Sequence, residues 1–263
     1  MDNGPDSPLL SAAERPAAVV RNADGRGRAV LVCEHASRTI PAALNGLGLS
    51  AEAGLSHAAW DIGARDVAEG LSRALDAPLV ESRISRLVYD CNRPPEAPDA
   101  MPPRSERFDI PGNEGLSEAQ RAARVREVFD PFSALLAQVI ADRTAPPVLI
   151  TVHSFTPVYL GRRREVQIGI LHDTDTRLAD AMLDVAVRHT GLIVRRNEPY
   201  GPDDGVTYTL RRHGIAHGLV NVMIEIRNDL LSAEGDRADM AAMLSGWLTQ
   251  AIDALDQPGK RTP

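Results

Sequence analysis

Residues 148–153 read Val-Leu-Ile-Thr-Val-His, and this stretch decides the fold class. A short, unbroken run of aliphatic and β-branched residues is typical of a strand that is buried on both faces of a sheet. Its last residue, His153, places an ionisable group directly after the apolar run. The stretch therefore predicts a central strand with a candidate functional residue at its carboxyl end.

Comparable apolar runs recur on either side and alternate with segments of helical spacing. We predict strands at residues 29–33, 79–80, 87–89, 166–171, 192–194 and 219–226, and helices at 61–75, 117–142, 174–189 and 238–255. Ser117 and Gln120 form a possible capping box at the start of the second helix, and Pro131 predicts a kink or break within it. The alternation indicates an α/β fold with a mainly parallel or mixed sheet and helices on both faces.

The 263 residues are enough for one large domain or two small ones. We predict a single α/β domain over residues 28–256, preceded by a flexible arm over residues 1–27 that is rich in Pro, Gly, Asp and Arg. Residues 257–263 predict a frayed tail. Residues 94–115 are rich in proline and predict a long loop, and loops of this length in compact domains are usually functional or disordered.

Composition argues against several classes of protein. Lys and Arg number 29 against 36 Asp and Glu, and the net charge of -7 disfavours a non-specific nucleic-acid binder. Cys33 and Cys91 are too few for a disulfide scaffold and suit reduced core residues. Residues 1–17 lack the basic start and apolar run of a signal peptide, and no apolar run could span a bilayer. We expect a cytoplasmic protein without nucleic-acid or membrane partners, a monomer or a small homo-oligomer.

Ionisable residues stand at the ends of several predicted strands. They are Glu34 and His35, then Asp90, Asn92 and Arg93, then His153, then Glu225 followed by Arg227. If the strands are parallel, their carboxyl ends meet at one edge of the sheet, which is where such sheets bind ligands. A buried group of histidines, carboxylates and arginines is costly unless it binds something.

Two histidines and a carboxylate with an open fourth position are the usual ligands of a catalytic zinc ion. His35, Asp61 and His153 could supply this set, with Glu225 as the general base. Arginine suits a substrate carboxylate, so Arg93 and Arg227 are candidates for binding it. Simpler readings stand beside these, since a histidine after a strand is often structural and Asp61 could cap the helix that follows it.

The motifs together resemble the N-formylglutamate amidohydrolase family. They are Cys33-Glu34-His35-Ala36-Ser37, Trp60-Asp61, Ser85 to Pro94, Val152-His153-Ser154 and Ile224 to Asp229, in this order. The resemblance covers roughly residues 29–231, and the Asp-x-Asn-Arg-Pro run at Asp90 is among its most specific parts. It implies a phosphorylase/hydrolase-like three-layer α/β/α sandwich with a mixed central sheet. It also implies hydrolysis of N-formyl-L-glutamate to formate and glutamate, in histidine degradation.

The resemblance extends to the distantly related aspartoacylases and zinc carboxypeptidases. It implies His35, Asp61 and His153 as the ligands of one zinc ion per chain, and Glu225 as the catalytic glutamate. Asn92 and Arg93 match a pair that holds the substrate carboxylate in those relatives. Relatives outside the family use His-x-x-Glu for the first two ligands, whereas the fourth position of that motif is Arg38 here. The carboxylate must then come from elsewhere, and Asp61 is preferred over Glu34.

Further residues are candidates for supporting roles. Arg86 could stabilise the oxyanion of the tetrahedral intermediate or form a structural ion pair with Asp61 or Asp90. Tyr200 lies in a turn-rich loop, residues 197–205, that could cover the pocket or be a plain surface turn. The other candidates are Glu34, Asp90 and Ser154 beside the ligands, Arg162, Arg163 and Arg164 for steering an anion, His57 as a rival ligand, and His213 near the pocket, whereas His172 is expected at the far edge of the sheet.

The sequence thus predicts a zinc-dependent amidohydrolase of a small anionic substrate, an N-acylated acidic amino acid, most simply N-formyl-L-glutamate. Two alternatives remain. One is a deacylase of another N-acyl amino acid or small peptide, which the number of arginines lining the pocket would distinguish. The other is a catalytically inactive binder of acidic metabolites, against which Glu225 argues, since a binder of anions gains nothing from a carboxylate beside them.

Overall fold

The structure is a computed structural model that describes residues 8–256. Its strands are β1 Ala18–Arg21, β2 Ala29–Cys33, β3 Leu79–Ser82, β4 Arg104–Ser105, β5 Phe108–Asp109, β6 Val148–Phe155, β7 Val158–Tyr159, β8 Arg162–Arg163, β9 Ile168–Leu171, β10 Val194–Arg196 and β11 Asn221–Arg227. Its α-helices are α1 Ala51–Leu55, α2 Ala64–Ala74, α3 Glu118–Arg124, α4 Asp130–Ala141, α5 Arg177–Val185 and α6 Glu234–Leu255.

Seven strands form one mixed sheet in the order β1-β3-β2-β6-β11-β9-β10. Strands β3, β2, β6 and β11 are parallel to their neighbours within this group, whereas β1 runs antiparallel to β3 and β9 antiparallel to β11. The carboxyl ends of β2, β6 and β11 therefore lie at the same edge of the sheet. This edge positions the candidate site.

The helices bury the sheet from both sides because the central strands are apolar on both faces. Every residue of β2 and β6 is buried. Helices α2, α5 and α6 enclose one core with residues such as Leu71 and Trp247. Helix α4 and the loops beside it enclose the other, around Phe132 and Tyr89. The predicted α/β fold with a mixed central sheet is confirmed.

The structure contains the capping box and the helix irregularity that the sequence predicts for the segment after Ser117. Ser117 and Gln120 form the predicted capping box at the start of α3. The chain then passes through one π-helical turn, Val125–Phe129, directly into α4, whose second residue is Pro131. The predicted irregularity is therefore this π-turn, which lets the helix continue past a proline that cannot donate a backbone hydrogen bond.

The predicted strand at residues 87–89 is wrong. These residues form a turn, in which the backbone N–H of Val88 donates to the carbonyl of Ser85 at 2.9 Å. They are apolar because they are buried in the core beside α4, where Tyr89 packs on Phe129 with ring centroids 5.2 Å apart. Burial in the core, without pairing in a sheet, thus gives the same apolar run as a buried strand.

The prediction of a flexible arm over residues 1–27 does not hold for its described part, residues 8–27. Strand β1 pairs with β3 and extends the sheet. Leu9 and Leu10 are buried, and their backbone N–H groups donate to the carboxylate of Glu127 at 2.9 and 3.1 Å. A tertiary partner a hundred residues away thus orders a segment whose composition suggests a loop. The predicted tail, residues 257–263, lies outside the described residues.

The cysteine prediction is confirmed, since Cys33 and Cys91 are both free and buried. Within residues 8–256, no helix is both long and apolar enough to cross a membrane.

Candidate metal centre and pocket

The ends of three neighbouring strands carry the residues of the candidate site. His35 follows β2, His153 lies in β6, and Glu225 lies in β11 directly beside His153 in the strand register. All three side chains are buried. The predicted convergence of these residues at the carboxyl edge of the sheet is what the structure shows.

His35, Asp61 and His153 form a compact cluster that could hold a metal ion. The Nδ1 atoms of the two histidines are 3.2 Å apart. Oδ2 of Asp61 lies 3.2 Å from Nδ1 of His35 and 2.9 Å from Nδ1 of His153. Three donors bound to one zinc ion at roughly 2.0–2.1 Å would lie a little over 3 Å from one another, which is about the separation found here.

A carboxylate lies beside Nε2 of each imidazole ring of the cluster. Nε2 of His35 lies 2.7 Å from Oδ1 of Asp90, and Nε2 of His153 lies 3.2 Å from Oε2 of Glu34. The hydrogen bond to Asp90 favours the proton on Nε2 of His35, so Nδ1 of His35 keeps its lone pair for the cluster, whereas Glu34 contacts Nε2 of His153 without hydrogen-bond geometry. Glu34, the rival ligand, therefore lies behind His153, and Asp61 is the carboxylate that faces both histidines.

Asp61 does not cap the helix that follows it. Helix α2 begins at Ala64 with Gly63 as its N-cap residue, whose φ is 80°. The backbone N–H of Asp61 donates to the carbonyl of His35 at 3.0 Å, which ties the two ligand segments together. Ser154 supports the arrangement, because its N–H lies 3.3 Å from Oδ2 of Asp61 and its hydroxyl donates to the carbonyl of Ile62 at 2.8 Å.

The electrostatics of the cluster favour an added positive charge. The buried carboxylates Glu34, Asp61 and Asp90 exceed the nearby cation, Arg86. Burial lowers the pKa of His153, but Glu34 and Asp61 outweigh burial and raise this pKa well above its usual value. A site that pulls protons onto a buried imidazole also fits a divalent cation, which would satisfy the same excess of negative charge.

Glu225 is a buried carboxylate in the cavity wall beside the cluster. Its Oε2 atom has no hydrogen-bond partner among the described residues. Burial raises the pKa of Glu225 to about 7, although the nearby His153 works in the opposite direction. A carboxylate with a pKa near neutrality beside a candidate metal centre can accept and return a proton.

A cavity of about 350 Å³ opens over this cluster, a volume suited to a small molecule. Its wall includes His35, Asp61, His153, Glu225, Arg86, Asn92, Arg93, Tyr159, Tyr200 and Asp204. His57, the rival ligand, lines the cavity away from the cluster and pairs with Glu106 at 2.9 Å. The contribution of Glu106 was not predicted, because it comes from the tip of the β4–β5 hairpin, which carries no recognisable motif.

The arginines that line this cavity are already paired with carboxylates. Arg86 bridges Asp61 at 3.3 Å and Asp90 at 2.8 Å, so the ion pair that the sequence left open is present. Arg93 pairs with Asp99 at 2.6 Å and also donates to a backbone carbonyl. A substrate carboxylate must therefore share these guanidinium groups with protein carboxylates.

Asn92 and Tyr200 line the cavity in different ways. The side chain of Asn92 is occupied by the backbone, since its Oδ1 accepts from the N–H of Thr209 at 2.9 Å and its amide donates to the carbonyl of Val206. Burial raises the pKa of Tyr200 to about 12, so its hydroxyl stays protonated and can donate a hydrogen bond.

The structure does not support a role for Arg227 in holding substrate. Its guanidinium group donates to Asp229 at 2.8 Å and to the carbonyl oxygen of Arg164 at 3.0 Å. It is absent from the residues that line the cavity. The partner two residues further along the chain captures the side chain and turns it away from the site.

Of the remaining candidates, His172 lies at the far edge of the sheet, after the antiparallel strand β9, as predicted. His213 is buried and lies 3.2 Å from the hydroxyl of Ser133, outside the cavity wall. Arg162 and Arg164 line a second cavity rather than this one.

A mixed α/β sandwich that gathers two histidines and an aspartate at the ends of its central strands defines an α/β protein with a candidate metal centre. The family model for N-formylglutamate amidohydrolase matches residues 27–232. The chain belongs to this amidohydrolase family.

Two solved structures share the fold of this chain. The chain is similar to a gene product from Agrobacterium tumefaciens, with 54% identity, a TM-score of 0.92, and coverage of 95% of this chain and 100% of that one. It shares its fold with N-formylglutamate amidohydrolase from Ralstonia eutropha JMP134, with 17% identity, a TM-score of 0.62, and coverage of 91% and 97%. Among curated proteins, the comparison gave no match.

Proposed function

We propose that this protein is a zinc-dependent amidohydrolase that cleaves N-formyl-L-glutamate to formate and L-glutamate. The observation that carries the proposal is the convergence of three buried donor atoms, Nδ1 of His35, Nδ1 of His153 and Oδ2 of Asp61, next to the unpartnered carboxylate of Glu225. Membership of the amidohydrolase family supports the reaction type.

His35, Asp61 and His153 would hold one zinc ion. When bound, zinc would polarise the formyl carbonyl and make water more acidic. Asp90 keeps the ring of His35 in the orientation that leaves its Nδ1 free, and the carboxylate of Glu34 lies 3.2 Å from Nε2 of His153. The chain thus supplies a fixed donor set, and a bound cation would offset the part of the desolvation cost of its carboxylates that Arg86 does not.

Glu225 would act as general base and then as general acid. Its carboxylate takes a proton from the attacking water while the water oxygen adds to the formyl carbon. It returns that proton to the nitrogen of glutamate when the carbon–nitrogen bond breaks. A pKa of about 7 suits both transfers, because neither protonation state is strongly favoured at neutral pH.

Arg86, Arg93 and Tyr200 would position the substrate. Arg86 is held between Asp61 and Asp90, close enough to the cluster to stabilise negative charge on the former carbonyl oxygen. Arg93 and the hydroxyl of Tyr200 line the same cavity and can donate to a carboxylate. Asn92 supports them by fixing the segment that carries Thr209.

Formate release from N-formyl-L-glutamate by the purified protein, with and without a chelator, tests this proposal. We expect release that the chelator abolishes and added zinc restores. The Glu225→Gln variant should bind zinc as the wild type does and release almost no formate. Zinc binding without formate release would reject the substrate and retain a metal-dependent deacylase of another N-acyl amino acid. The complete pairing of the arginines in the cavity favours that second candidate over a substrate that needs two free cationic anchors.

A further inference from the structure

A second cavity, of about 450 Å³, adjoins the catalytic pocket. It is lined by Arg162, Arg164 and Arg195, together with Tyr159, Glu165, Val166, Ile193, Glu198 and Pro199. Tyr159 also lines the catalytic pocket, so the two cavities share this side chain. We refer to the second cavity as the arginine cleft.

The arginines of the arginine cleft differ from those of the catalytic pocket in one respect. Within residues 8–256, Arg162, Arg164 and Arg195 have no carboxylate within ion-pair distance, although Glu165 and Glu198 line the same cleft. Every arginine of the catalytic pocket, by contrast, is paired with an aspartate. The guanidinium groups that have no competing carboxylate are therefore those of the cleft.

The wall between the two cavities is built around Arg164. Its guanidinium carbon lies 4.6 Å from the ring centroid of Tyr159 and 4.7 Å from that of Tyr200, and both tyrosines line the catalytic pocket. The buried Arg227 donates to the backbone carbonyls of Arg164 and Glu165 at 3.0 and 3.3 Å. Arg227 thus fixes the segment that presents this cation, which accounts for its burial better than substrate binding does.

The loop that carries Glu198 and Tyr200, on the other side of the wall, is also held in place. A side chain at Gly169 would place its Cβ atom 2.0 Å from the carbonyl oxygen of Glu198. The loop can cross β9 this closely only because the residue there is glycine. Asn197 adds a hydrogen bond from its N–H to the carbonyl of Ile170 at 3.1 Å. The positions of Glu198 and Tyr200 are therefore set by the sheet.

We propose that the arginine cleft binds an anionic group that follows the acylated residue in a substrate longer than one amino acid, such as the second glutamate of an N-formylated acidic dipeptide. The proposal rests on the proposed function, since it assigns the acylated end to the catalytic pocket. The chain of the substrate would pass Tyr159, and its terminal carboxylate would meet Arg162 and Arg195. One extended residue adds roughly 3.3–3.6 Å to the length of the substrate beyond its acylated end.

Steady-state kinetics with N-formyl-L-glutamate and N-formyl-L-glutamyl-L-glutamate, α-linked and γ-linked, test the proposal. We expect at least one dipeptide to have a lower KM than the single amino acid. In Arg195→Gln, the KM of that dipeptide should rise roughly three- to tenfold, as for the loss of one partly exposed charge-assisted hydrogen bond, while the KM of N-formyl-L-glutamate stays unchanged. Arg162→Gln should act in the same direction.

Arg26→Gln is the matched control, because Arg26 is exposed and precedes the amino end of β2, at the opposite edge of the sheet. It should leave both KM values unchanged. Equal KM values for all substrates in the wild type, or an equal rise for both in Arg195→Gln, would overturn the proposal. Calorimetric measurement of L-glutamyl-L-glutamate binding distinguishes the proposal for the arginine cleft from the proposed reaction. Binding that Arg195→Gln weakens, without formate release from any substrate, would reject the proposed reaction and keep the cleft.

Discussion

The two walls of the catalytic pocket are built in different ways. One wall consists of the ends of β2, β6 and β11, whose backbone is fixed by the sheet and whose residues His35, His153 and Glu225 converge because the strands are parallel. The other wall consists of loop segments between β3 and α3 and after β10, which carry Asp90, Arg93 and Tyr200. Strand ends position the chemistry, whereas long-range hydrogen bonds must position the loops.

The strand-end wall should show the largest effect of a single substitution. In Glu225→Gln, kcat for formate release should fall by about 100- to 10,000-fold, the usual contribution of a general base. Zinc affinity should hardly change, because Glu225 lies outside the His35, Asp61 and His153 cluster. Glu118→Gln, at an exposed position of α3, is the control and should retain wild-type kcat. A Glu225→Gln enzyme with more than half of the wild-type kcat would remove Glu225 from the mechanism.

Substitutions that release the loop wall should act mainly on stability, by lowering the free energy of unfolding. Arg124 is buried and donates to the carbonyls of Val88 and Gly112 at 3.1 and 3.0 Å and to the side chain of Asn113. Arg124→Met leaves these acceptors without a donor and should lower the free energy of unfolding by about 3 kcal/mol. Urea denaturation measures this value.

Arg126→Met serves as the control for this comparison, since Arg126 is exposed on the same helical segment and its nearest carboxylate, Glu127, is 3.7 Å away. It should cost less than about 0.5 kcal/mol. Equal losses for the two variants would show that the contacts of Arg124 do not hold the loop.

Asp90 connects the two walls, because it lies in the loop wall and contacts His35 of the strand-end wall. Asp90→Asn should weaken zinc binding by about 10- to 100-fold, as is typical when the partner of a metal-ligating histidine is lost. Calorimetric titration of zinc into the metal-free protein measures this change. Asp99→Asn, in the same loop but paired only with Arg93, should bind zinc as the wild type does. If both variants bind zinc normally, Asp90 does not orient His35.

The smallest effect concerns His213, which packs behind the loop wall. Burial lowers its pKa to about 4, so the folded protein binds fewer protons than the unfolded chain between pH 4 and 6.5. This contribution to stability is fully present above about pH 6.5 and is lost as the pH falls. His213→Gln should therefore reduce the loss of stability between pH 7 and 5 by about 2 kcal/mol. Identical pH profiles for wild type and His213→Gln would contradict the shifted pKa.

The difference between the strand-end wall and the loop wall also decides what could be predicted from the sequence. The strand predicted at residues 148–152 and the His153 that follows it are read from an apolar run and its polar end, and the parallel pairing then brings Glu225 beside His153. The turn at residues 87–89 could not be distinguished from a strand, because both bury the same apolar residues. Arg227 was misplaced because its local partner Asp229 competes with any ligand. The ordered β1 depends on a distant strand, which local composition does not reveal.

The metal centre is the central claim, and zinc titration of the metal-free wild type against His153→Ala tests it most directly. We predict one zinc ion per wild-type chain and an affinity at least about 100-fold lower in His153→Ala, because removing a ligand costs more than removing the partner of a ligand. Equal zinc affinity in the two proteins, or no zinc binding by the wild type, would contradict the assignment of His35, Asp61 and His153 as the metal ligands.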